Sequence, residues 1–392
     1  MTDRPVPAAG TRSLVRVLRA ALAAPSPPSR ADLATAVGTT RATASRLADE
    51  LVAAGLLDET TPTSRGRGRP GTPLLPGAGV AALGLQVDVD RLVALVVDLR
   101  GAVRAQEVLE ADLRGSRPRP TLLRLSRLAT RALRQAPGVR VVGAGLALPG
   151  IVGADGVLLR SPNLGWTDLP VRDLVAPLTG PLAPVPGNEA DLAAATLSSL
   201  APGRPGRHRD LVYLSGSTGI GGSVVLDGRP VRGRHGWAGE VGHVTVDPSG
   251  PDCPCGSTGC LEQYAGARAL ARAAGLDEHA GTAVVAARAR AGDPEADAAV
   301  ERAAHGLGVA LAAVVNLLDV PVVVLGGHLR ELGELLRPTL EATLARRVLS
   351  AAWSPPLVEV APDTPHPAAL GAAYGVLDRL VADPLGAALP GR

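Results

Sequence analysis

Four side chains that bind soft metal ions lie close together in the sequence: His243, Cys253, Cys255 and Cys260. They include every cysteine of the chain. A set of three thiolates and one imidazole is typical of closed, tetrahedral Zn²⁺ sites. Because a closed site leaves no position open for water, the sequence predicts a zinc ion that is structural. The alternative, three buried thiols beside an unrelated histidine, is disfavoured because the cysteines are so tightly grouped.

Two glutamates flank this segment, Glu240 before His243 and Glu262 after Cys260. The ring nitrogen of a ligating histidine that does not face the metal needs a hydrogen-bond partner. If that partner is a ligand hydroxyl group, the zinc ion orients His243 towards a polyol pocket that both carboxylates could line. The alternative is that both glutamates are solvated surface residues.

Two further clusters could bind a ligand. Asn188 and Glu189 offer an amide and a carboxylate that suit vicinal hydroxyl groups, although such residues also cap helices. A loop rich in glycine, serine and threonine at 215–222 could hold phosphate with backbone N–H groups. Each cluster is a weak signal by itself, because helix caps and glycine-rich turns are common.

The first 75 residues have the helix pattern of a DNA-binding head. Apolar residues repeat at helical spacing over 14–22, and Ser29 is placed to cap a second helix. Gly38 precedes a longer predicted helix from Arg41 to Ala54. A short helix, a turn with glycine and a longer helix make the helix-turn-helix arrangement. The residues of the longer helix expected to contact DNA are Arg41, Thr43, Ser45 and Arg46.

An arginine-rich segment follows this helix. Residues 60–74 carry Arg65, Arg67 and Arg69 among glycines and prolines. The segment fits a wing, a β-turn narrow enough to place arginine in a minor groove, and it also fits a flexible linker. We favour the wing because the segment directly follows a recognition-type helix.

From about residue 81 the pattern indicates an α/β body. β-branched runs separated by Asp90-Arg91 and by 99–101 predict a β-meander. Further strands are predicted at 139–147, 211–214, 223–226, 241–246, 320–325 and 357–360. Helices are predicted at 120–135, 189–200, 264–275, 295–318, 330–349 and 367–382.

Composition and charge narrow the class of protein. The 392 residues, 46% of them hydrophobic, suffice for two or three folding units and exclude a disordered or disulfide-stapled chain. Residues 1–80 carry a net charge of +4 and the remainder −1, which favours a nucleic-acid-binding head on a near-neutral body. No uninterrupted apolar run reaches the ~18–20 residues of a membrane span, so we expect a cytoplasmic protein without membrane contact.

Together these motifs resemble the ROK family, which comprises sugar kinases and sugar-responsive repressors. The resemblance implies an actin-like, hexokinase-type α/β fold with two lobes. It implies zinc ligands at the four residues named first, and sugar contacts at Asn188, Glu189, Glu240, His243 and Glu262. The matching segments are L-P-G-I-V at 148–152, S-P-N-L-G-W at 161–166, G-E-V-G-H at 239–243, C-P-C-G-S-T-G-C-L-E at 253–262 and N-L-L-D-V-P-V-V-V-L-G-G at 316–327.

The winged helix-turn-helix places the chain with the repressor branch of that family, of the xylose-repressor type. The predicted domains are a winged helix-turn-helix at 1–75, a linker at 76–80, a first lobe at 81–187 rejoined by the C-terminal helix at about 367–392, and a second lobe with the zinc loop at 188–366.

Two departures from the family's kinases predict that catalysis is lost. The kinases open their first lobe with a D-x-G-G-T phosphate loop, whereas residues 84–90 read G-L-Q-V-D-V-D and lack the glycine pair. The kinases also use an aspartate after the asparagine of the sugar loop. Glu189 occupies that position, with its carboxylate about one C–C bond (~1.5 Å) further out. Such a misplacement can cost ~10²-fold in rate and still permit a hydrogen bond to sugar.

The sequence therefore predicts a transcriptional repressor, and not an enzyme, whose body binds a monosaccharide without phosphorylating it. The expected partners are operator DNA with an inverted repeat, the sugar, and further copies of the chain in a homodimer or tetramer. Sugar between two lobes would favour one lobe angle and so set the separation of two recognition helices. The alternative is an active ATP-dependent sugar kinase with an accessory DNA-binding head. A sensor of a protein partner is disfavoured, because four polar sugar ligands are retained.

Overall fold

Three helices and a two-stranded ribbon form the N-terminal head in this computed structural model, which describes residues 9–61, 72–179, 182–216 and 219–384. Ser29 caps the second helix in a capping box with Asp32, and Thr40 caps the third by accepting from the Thr43 amide. Between these helices Gly38 adopts a left-handed conformation (φ 65°), as glycine does most readily. The helices are α1 (Ala9–Ala23), α2 (Arg30–Val37) and α3 (Arg41–Ala53), and the strands are β1 (Leu57–Glu59) and β2 (Leu74–Pro76).

The two strands of the ribbon flank the segment that is predicted to form a wing. Strands β1 and β2 pair antiparallel, with Leu57 opposite Pro76 and Glu59 opposite Leu74. The connecting tip, residues 62–71, lies outside the described residues, and Arg65, Arg67 and Arg69 lie with it. The expectation that these three arginines contact DNA therefore stays a prediction.

The first body sheet combines an antiparallel meander with two parallel strands. Its order is β10-β6-β3-β4-β5, in which β3, β4 and β5 are antiparallel neighbours and β6 and β10 run parallel. The meander predicted from residue 81 is thus confirmed. The strands are β3 (Val80–Val87), β4 (Arg91–Asp98), β5 (Val103–Glu110), β6 (Arg140–Leu148), β7 (Ile151–Val152), β8 (Leu158–Ser161), β9 (Trp166–Leu169), β10 (Val185–Asn188), β11 (Ser199–Ala201) and β12 (Arg204–Pro205). The helices with them are α4 (Pro118–Gln135), α5 (Val171–Thr179) and α6 (Glu189–Ser198).

The second body sheet repeats this topology. Its order is β15-β14-β13-β16-β17, again three antiparallel strands followed by two parallel ones. The chain shows no sequence repeat that would reveal the duplication. The strands are β13 (Leu211–Gly216), β14 (Ile220–Leu226), β15 (Arg229–Pro230), β16 (Val322–Gly327) and β17 (Leu357–Val360). The helices are α7 (Glu262–Ala265), α8 (Ala267–Ala273), α9 (Thr282–Arg290), α10 (Pro294–Leu318), α11 (Leu329–Arg347) and α12 (Pro367–Ala382).

Two compact units divide these elements. The first comprises Met1–Arg207 and His366–Arg392, and the second His208–Pro365. The head and the first sheet share a core, because Leu18 and Leu22 of α1 belong to the same apolar cluster as Leu377 and Leu380 of α12. The second lobe was expected to begin at residue 188, whereas the second unit begins at His208, so α6, β11 and β12 belong to the first unit. Helix α6 packs on α12 inside that unit. Gly371 permits that contact, since a Cβ there would lie 1.7 Å from the Leu192 carbonyl oxygen.

Two local predictions were wrong. The strand expected at 241–246 is a 3-10 turn, Val241–His243, followed by extended chain. The helix expected at 264–275 is two helices, α7 and α8, because Gly266 between them is extended (φ −65°, ψ 150°).

Helix α10 alone among the described helices is long and apolar enough to cross a membrane by length and composition. Most of its apolar residues lie in the core of the second unit, where Ala303, Leu307 and Leu311 are fully buried. This burial accounts for its apolar sequence, as expected for the central helix of a packed α/β unit.

Candidate metal centre and ligand site

The four predicted metal ligands come together in the second unit. The ligand atoms of His243, Cys253, Cys255 and Cys260 all lie within 4.8 Å of one another. The Sγ atoms of Cys255 and Cys260 are 3.7 Å apart, and the Cys253 Sγ is 3.8 Å from the His243 Nδ1. Zn–S bonds of about 2.3 Å in a tetrahedron place two sulfurs about 3.8 Å apart. The donor set and its spacing therefore fit a closed zinc site.

Backbone pairing builds the cage from residues that are separated in sequence. Thr245 and Cys260 form an antiparallel bridge, and Asp252 and Thr258 form a second one. These bridges fold 253–260 back against the chain that follows His243. The Gln263 side-chain amide points at the Cys253 sulfur at 3.8 Å, which is the kind of outer contact that steadies a ligand.

The three thiols differ in acidity. The backbone N–H of Ser257 lowers the pKa of the exposed Cys255 thiol to about 7. Burial raises the pKa of the Cys260 thiol to about 12 and also raises the pKa of Cys253. Since zinc binds thiolates, occupation of this cage releases protons, mainly from the two buried cysteines.

Glu262 lies beside the metal cage and against the glycine-rich loop. Its Oε2 accepts the Ile220 N–H at 3.3 Å, and the Leu261 N–H donates to the Val244 carbonyl at 2.9 Å. A Cβ at position 219 would lie 1.9 Å from the Glu262 Oε2, so a larger residue there would displace the carboxylate. The described part of this loop thus holds a carboxylate. Ser217 and Thr218, which the phosphate-binding interpretation also involved, lie outside the described residues.

Glu240 and His243 bracket the 3-10 turn that precedes the cage. The His243 N–H donates to the Glu240 carbonyl at 3.0 Å, and the Glu240 side chain is exposed whereas that of His243 is half-buried. Since the Nδ1 atom of His243 faces the thiols, the Nε2 atom is the ring nitrogen available to a ligand hydroxyl.

Asn188 caps α6 and ties it to the neighbouring strand. Its Oδ1 accepts the N–H groups of Ala190 and Asp191 at 2.8 and 3.1 Å, and its Nδ2 donates to the Gly150 carbonyl at 2.9 Å. The helix-cap interpretation is therefore confirmed. One amide hydrogen of Asn188 remains for a ligand.

Glu189 shares its surroundings with two aspartates. Burial, and then repulsion from Asp88 and Asp90, raises the pKa of Glu189 well above its ordinary value. Burial also raises the pKa of Asp88. The Arg91 guanidinium donates two hydrogen bonds of 2.8 Å to the Asp90 carboxylate and compensates its charge. The proximity follows from topology, because β3 and β10 both run parallel to β6 and end at one edge of the sheet.

The five predicted sugar contacts divide between the two units. Asn188 and Glu189 belong to the first, and Glu240, His243 and Glu262 to the second. Sequence reasoning missed Asp88 and Asp90 as parts of the site. The signal that could have identified them is a pair of carboxylates where the family's kinases have small residues.

The four residues of α3 that are proposed to contact DNA differ in exposure and in their present partners. Arg41 and Arg46 are exposed, whereas Thr43 and Ser45 are half-buried. The Thr43 hydroxyl is hydrogen-bonded to Thr40 at 2.9 Å in the helix cap, and Arg46 forms an ion pair with Glu50 one turn later. Thr43 is thus engaged in capping, and Arg46 must leave Glu50 in order to contact a phosphate or base.

The head is held firmly against the first sheet. The Arg100 guanidinium donates to Asp58 and to the Pro76 carbonyl, both at 2.7 Å. The Arg140 guanidinium donates to the Ala54 carbonyl at 3.1 Å, at the end of the recognition helix. The orientation of α3 is therefore coupled to the body by polar contacts as well as by the shared core.

Comparison with known proteins places this geometry in one family. The ROK family pattern matches residues 82–379. A xylose repressor from Caldicellulosiruptor bescii is 28% identical over 377 residues, which are 91% of this chain and 93% of that protein. A crystal structure of a ROK family transcriptional regulator, described as a homologue of the E. coli MLC protein, superposes with a TM-score of 0.78 at 25% identity and covers 97% of this chain and 100% of its own.

Kinases of the same family also match the body. A ROK family glucokinase from Streptomyces griseus, solved with glucose and AMPPNP, has a TM-score of 0.60 at 27% identity and covers 75% of this chain and 98% of its own. The match of the family pattern to most of the chain, together with the two-lobed fold, establishes that this chain belongs to the ROK family.

Proposed function

We propose that this protein is a DNA-binding transcriptional repressor whose ROK body binds a monosaccharide effector without phosphorylating it. The observation that carries the proposal is the fusion of a helix-turn-helix head and a ROK body through one apolar core. The full-length similarity to a xylose repressor supports this function. The arginine-rich segment of this chain that is predicted to form a wing, and the exposed arginines of α3, suit contact with operator DNA. We propose that the operator is an inverted repeat, which a homodimer or tetramer of the protein binds in the cytoplasm.

The acidic surroundings of Glu189 support loss of kinase activity. Asp88 and Asp90 stand in the loop that holds nucleotide phosphates in the family's kinases, and both lie close enough to Glu189 to raise its pKa. Arg91 compensates the charge of Asp90 and burial favours protonation of Asp88, so the bulk of these side chains is the main obstacle to a triphosphate. The glycine pair of the family's kinases would have allowed the close approach that Asp88 and Val89 prevent.

The sugar contacts proposed are Asn188, Glu189, Glu240, His243 and Glu262. Carboxylates accept hydrogen bonds from sugar hydroxyls, and the free Nε2 of His243 and the remaining Asn188 amide hydrogen add directional contacts. The proposed zinc ion, held by His243 and the three cysteines, is structural: it fixes the orientation of the His243 ring. In this proposal the sugar is bound by protein side chains and not by the zinc ion.

Helix α12 provides a route from the proposed sugar contacts to the head. Helix α6 begins at Glu189 and packs on α12 so closely that position 371 must be glycine. Leu377 and Leu380 of α12 share a core with Leu18 and Leu22 of α1. We infer that sugar contact at the start of α6 biases the position of the head by way of these two packed helices.

A reciprocal titration tests the proposal. The full chain is first used to select a duplex from a random-sequence pool, and its affinity for that duplex is measured with and without xylose, glucose or N-acetylglucosamine. We expect one sugar to change the affinity by ~5–150-fold, and the duplex to change the affinity for that sugar by the same factor. Glu262→Gln should weaken sugar binding, whereas the exposed control Glu341→Gln should not. Binding of sugar and duplex without mutual effect would overturn the regulatory proposal.

The alternative is an ATP-dependent sugar kinase with an accessory head, which the match to a glucokinase body favours. A coupled kinase assay across the same sugars separates the two functions. Our proposal predicts no ATP-dependent turnover of a sugar that binds. Turnover at the level of a ROK glucokinase measured in parallel would favour the alternative.

A further inference from the structure

Acidic side chains lie together where β3 ends and α6 begins. Asp88 and Asp90 lie in the turn after β3, and Glu189 is the first residue of α6. The three residues are half-buried, so a ligand can still reach them. Burial and repulsion from both aspartates raise the pKa of Glu189, and no contact with a described residue lowers it. Glu189 therefore lacks the partner that a buried acid normally has.

Arg91 supplies its positive charge to Asp90. Its guanidinium donates two hydrogen bonds of 2.8 Å to that carboxylate, and it lies 4.0 Å from Glu110. Its attraction for Asp88 is outweighed by burial, which leaves the pKa of Asp88 raised. Arg91 therefore compensates Asp90, whereas Asp88 and Glu189 have no cation in contact among the described residues.

Two other basic residues near these acids do not supply the missing charge. Arg114 forms an ion pair with Asp112 at 3.3 Å. His366 precedes α12, and burial and Arg91 lower its pKa, which favours the neutral ring. Neither residue is among the groups that act on Glu189. The described surroundings of Glu189 are therefore acidic.

A buried amide oxygen points independently to a ligand at this place. Gln86 and Asp88 lie two positions apart on the chain of β3, so their side chains share a face. The Gln86 side chain is 6% exposed, and its Nε2 donates to the Asp88 Oδ2 at 3.3 Å. Its Oε1 is buried and has no hydrogen-bond partner among the described residues. Because an unpaired buried acceptor is costly, a donor from a ligand is expected here. We name Gln86, Asp88 and Glu189 the acceptor cluster.

The chemistry of the acceptor cluster favours a cation over an anion. A helix N-terminus attracts anions through its free N–H groups, but at the start of α6 the Asn188 Oδ1 already accepts those of Ala190 and Asp191. A sugar phosphate would therefore meet acids without the amides that could hold it. A hydroxyl group donates one hydrogen bond, whereas a primary ammonium group donates three and carries the missing charge. Beside Glu189 it would also favour the ionised carboxylate, since an opposite charge lowers the pKa of an acid.

From this arrangement we propose that the effector is an amino sugar, a monosaccharide with a free primary ammonium group, and that this group binds the acceptor cluster. The ammonium group donates to the carboxylates of Glu189 and Asp88 and to the Gln86 Oε1. The inference rests on the proposed function, because it names the class of sugar that the same site takes. Neutral sugars are weaker ligands of that site.

Calorimetric titration of the full chain with matched sugars tests the inference. The pairs are glucosamine with glucose, galactosamine with galactose, mannosamine with mannose, and 6-amino-6-deoxyglucose with glucose, at about pH 7, where such amines are mostly charged. We expect one amino sugar to bind about tenfold or more tightly than its hydroxyl counterpart, because charge-assisted hydrogen bonds are the stronger ones. N-acetylglucosamine, whose nitrogen is uncharged, should show no such gain over glucose.

Glu189→Gln separates recognition of the charge from a structural role. The variant should lose most of the preference for the amino sugar, and the ratio of the two affinities is a quantity that a merely structural role would leave unchanged. Gln86→Leu, which removes the unpaired acceptor, should lower the same ratio and serves if the first variant does not fold. The matched control is Asp173→Asn, which changes an exposed carboxylate on α5 of the same unit and should keep the wild-type ratio.

The outcomes distinguish this inference from the proposed function. Equal affinity of the wild type for both members of every pair, or a preference that survives both Glu189→Gln and Gln86→Leu, would overturn the inference. If glucose or xylose regulates duplex binding and no amino sugar binds more tightly, the inference fails and the proposed function stands. If none of the sugars binds, both fail.

Discussion

At the scale of single residues, the metal cage depends on four side chains that no other described residue replaces. Among the described residues, His243 and the three cysteines form the group of metal-binding side chains that meets at one point. Cys255 is the most exposed of the thiols and has the lowest pKa. It is therefore the ligand whose removal disturbs packing least, which makes it the best probe of the metal.

Replacing Cys255 with serine should abolish stoichiometric zinc binding. Loss of one ligand opens a closed structural site, and the loop that carries Glu262 loses its anchor. We expect the Tm to fall by roughly 10 °C, as for loss of a structural metal. Metal analysis and thermal melting measure both effects, with Ser257→Ala in the same loop as control. Normal zinc content and Tm in the Cys255 variant would show that the cage is not a metal site.

Glu189 should make stability depend on pH. Its pKa is raised above the ordinary 4.5 by burial and by Asp88 and Asp90, so folding favours its protonated form. The stability that protonation provides is complete below about pH 4.3, and it is lost as pH rises through the folded pKa.

Glu189→Gln tests this dependence. The variant should melt at a higher temperature than the wild type above that pH, and the difference should vanish in acid. It should also bind the effector about tenfold or more weakly, because an amide NH2 group, which only donates, replaces a carboxyl oxygen that can accept from a sugar hydroxyl. Thermal melts from acid to neutral pH measure the first effect, with exposed Glu341→Gln as control. A constant difference in Tm at all pH values would contradict the raised pKa.

At the scale of elements, a rigid head presents one helix and one ribbon. The ion pairs of Arg30 with Asp49 and Glu59 join the start of α2 to α3 and to the end of β1. Arg140 joins the residue that follows α3 to the body. The two strands of the ribbon, β1 and β2, are paired along their length. The wing predicted for the segment between them stays a prediction.

Replacing Arg65, Arg67 and Arg69 with glutamine should lower the salt dependence of operator binding. If each arginine neutralises one phosphate, the slope of log K against log salt should decrease in magnitude by about 2–3. The control replaces Arg124, Arg127 and Arg134, which are exposed on α4. Fluorescence anisotropy at several salt concentrations measures the slope. An unaltered slope would mean that the wing does not touch phosphates.

At the scale of the whole molecule, one family fold accommodates both kinases and regulators. The fold superposes on that of a regulator and on that of a glucokinase, so the fold alone does not distinguish a catalyst from a sensor. The distinguishing features of this chain are local: a head that shares the core of the first unit, and carboxylates in the loop after β3. The first feature is the one expected of a regulator, and the second replaces the glycine pair of the family's kinases.

The sequence by itself determined the features that depend on neighbouring residues. The metal ligands are close in sequence, so their spacing was enough to identify them. The helix cap at Ser29 and the strands of the meander were likewise predictable, because caps and alternating patterns act over a few residues. The structure selects Thr40 as the cap of α3. The strand predicted at 241–246 was wrong, since apolar alternation did not reveal that His243 serves the cage from a turn.

Only the tertiary structure decided which distant residues meet. Asp88 and Glu189 are about one hundred positions apart in the sequence, and they approach because β3 and β10 end at the same edge of a parallel arrangement. Glu262 lies against Gly219, and α6 against α12, for the same reason: strand order and helix packing set these contacts. A single sequence carries hydrophobic pattern and local geometry, whereas long-range proximity follows from how the sheets and helices assemble.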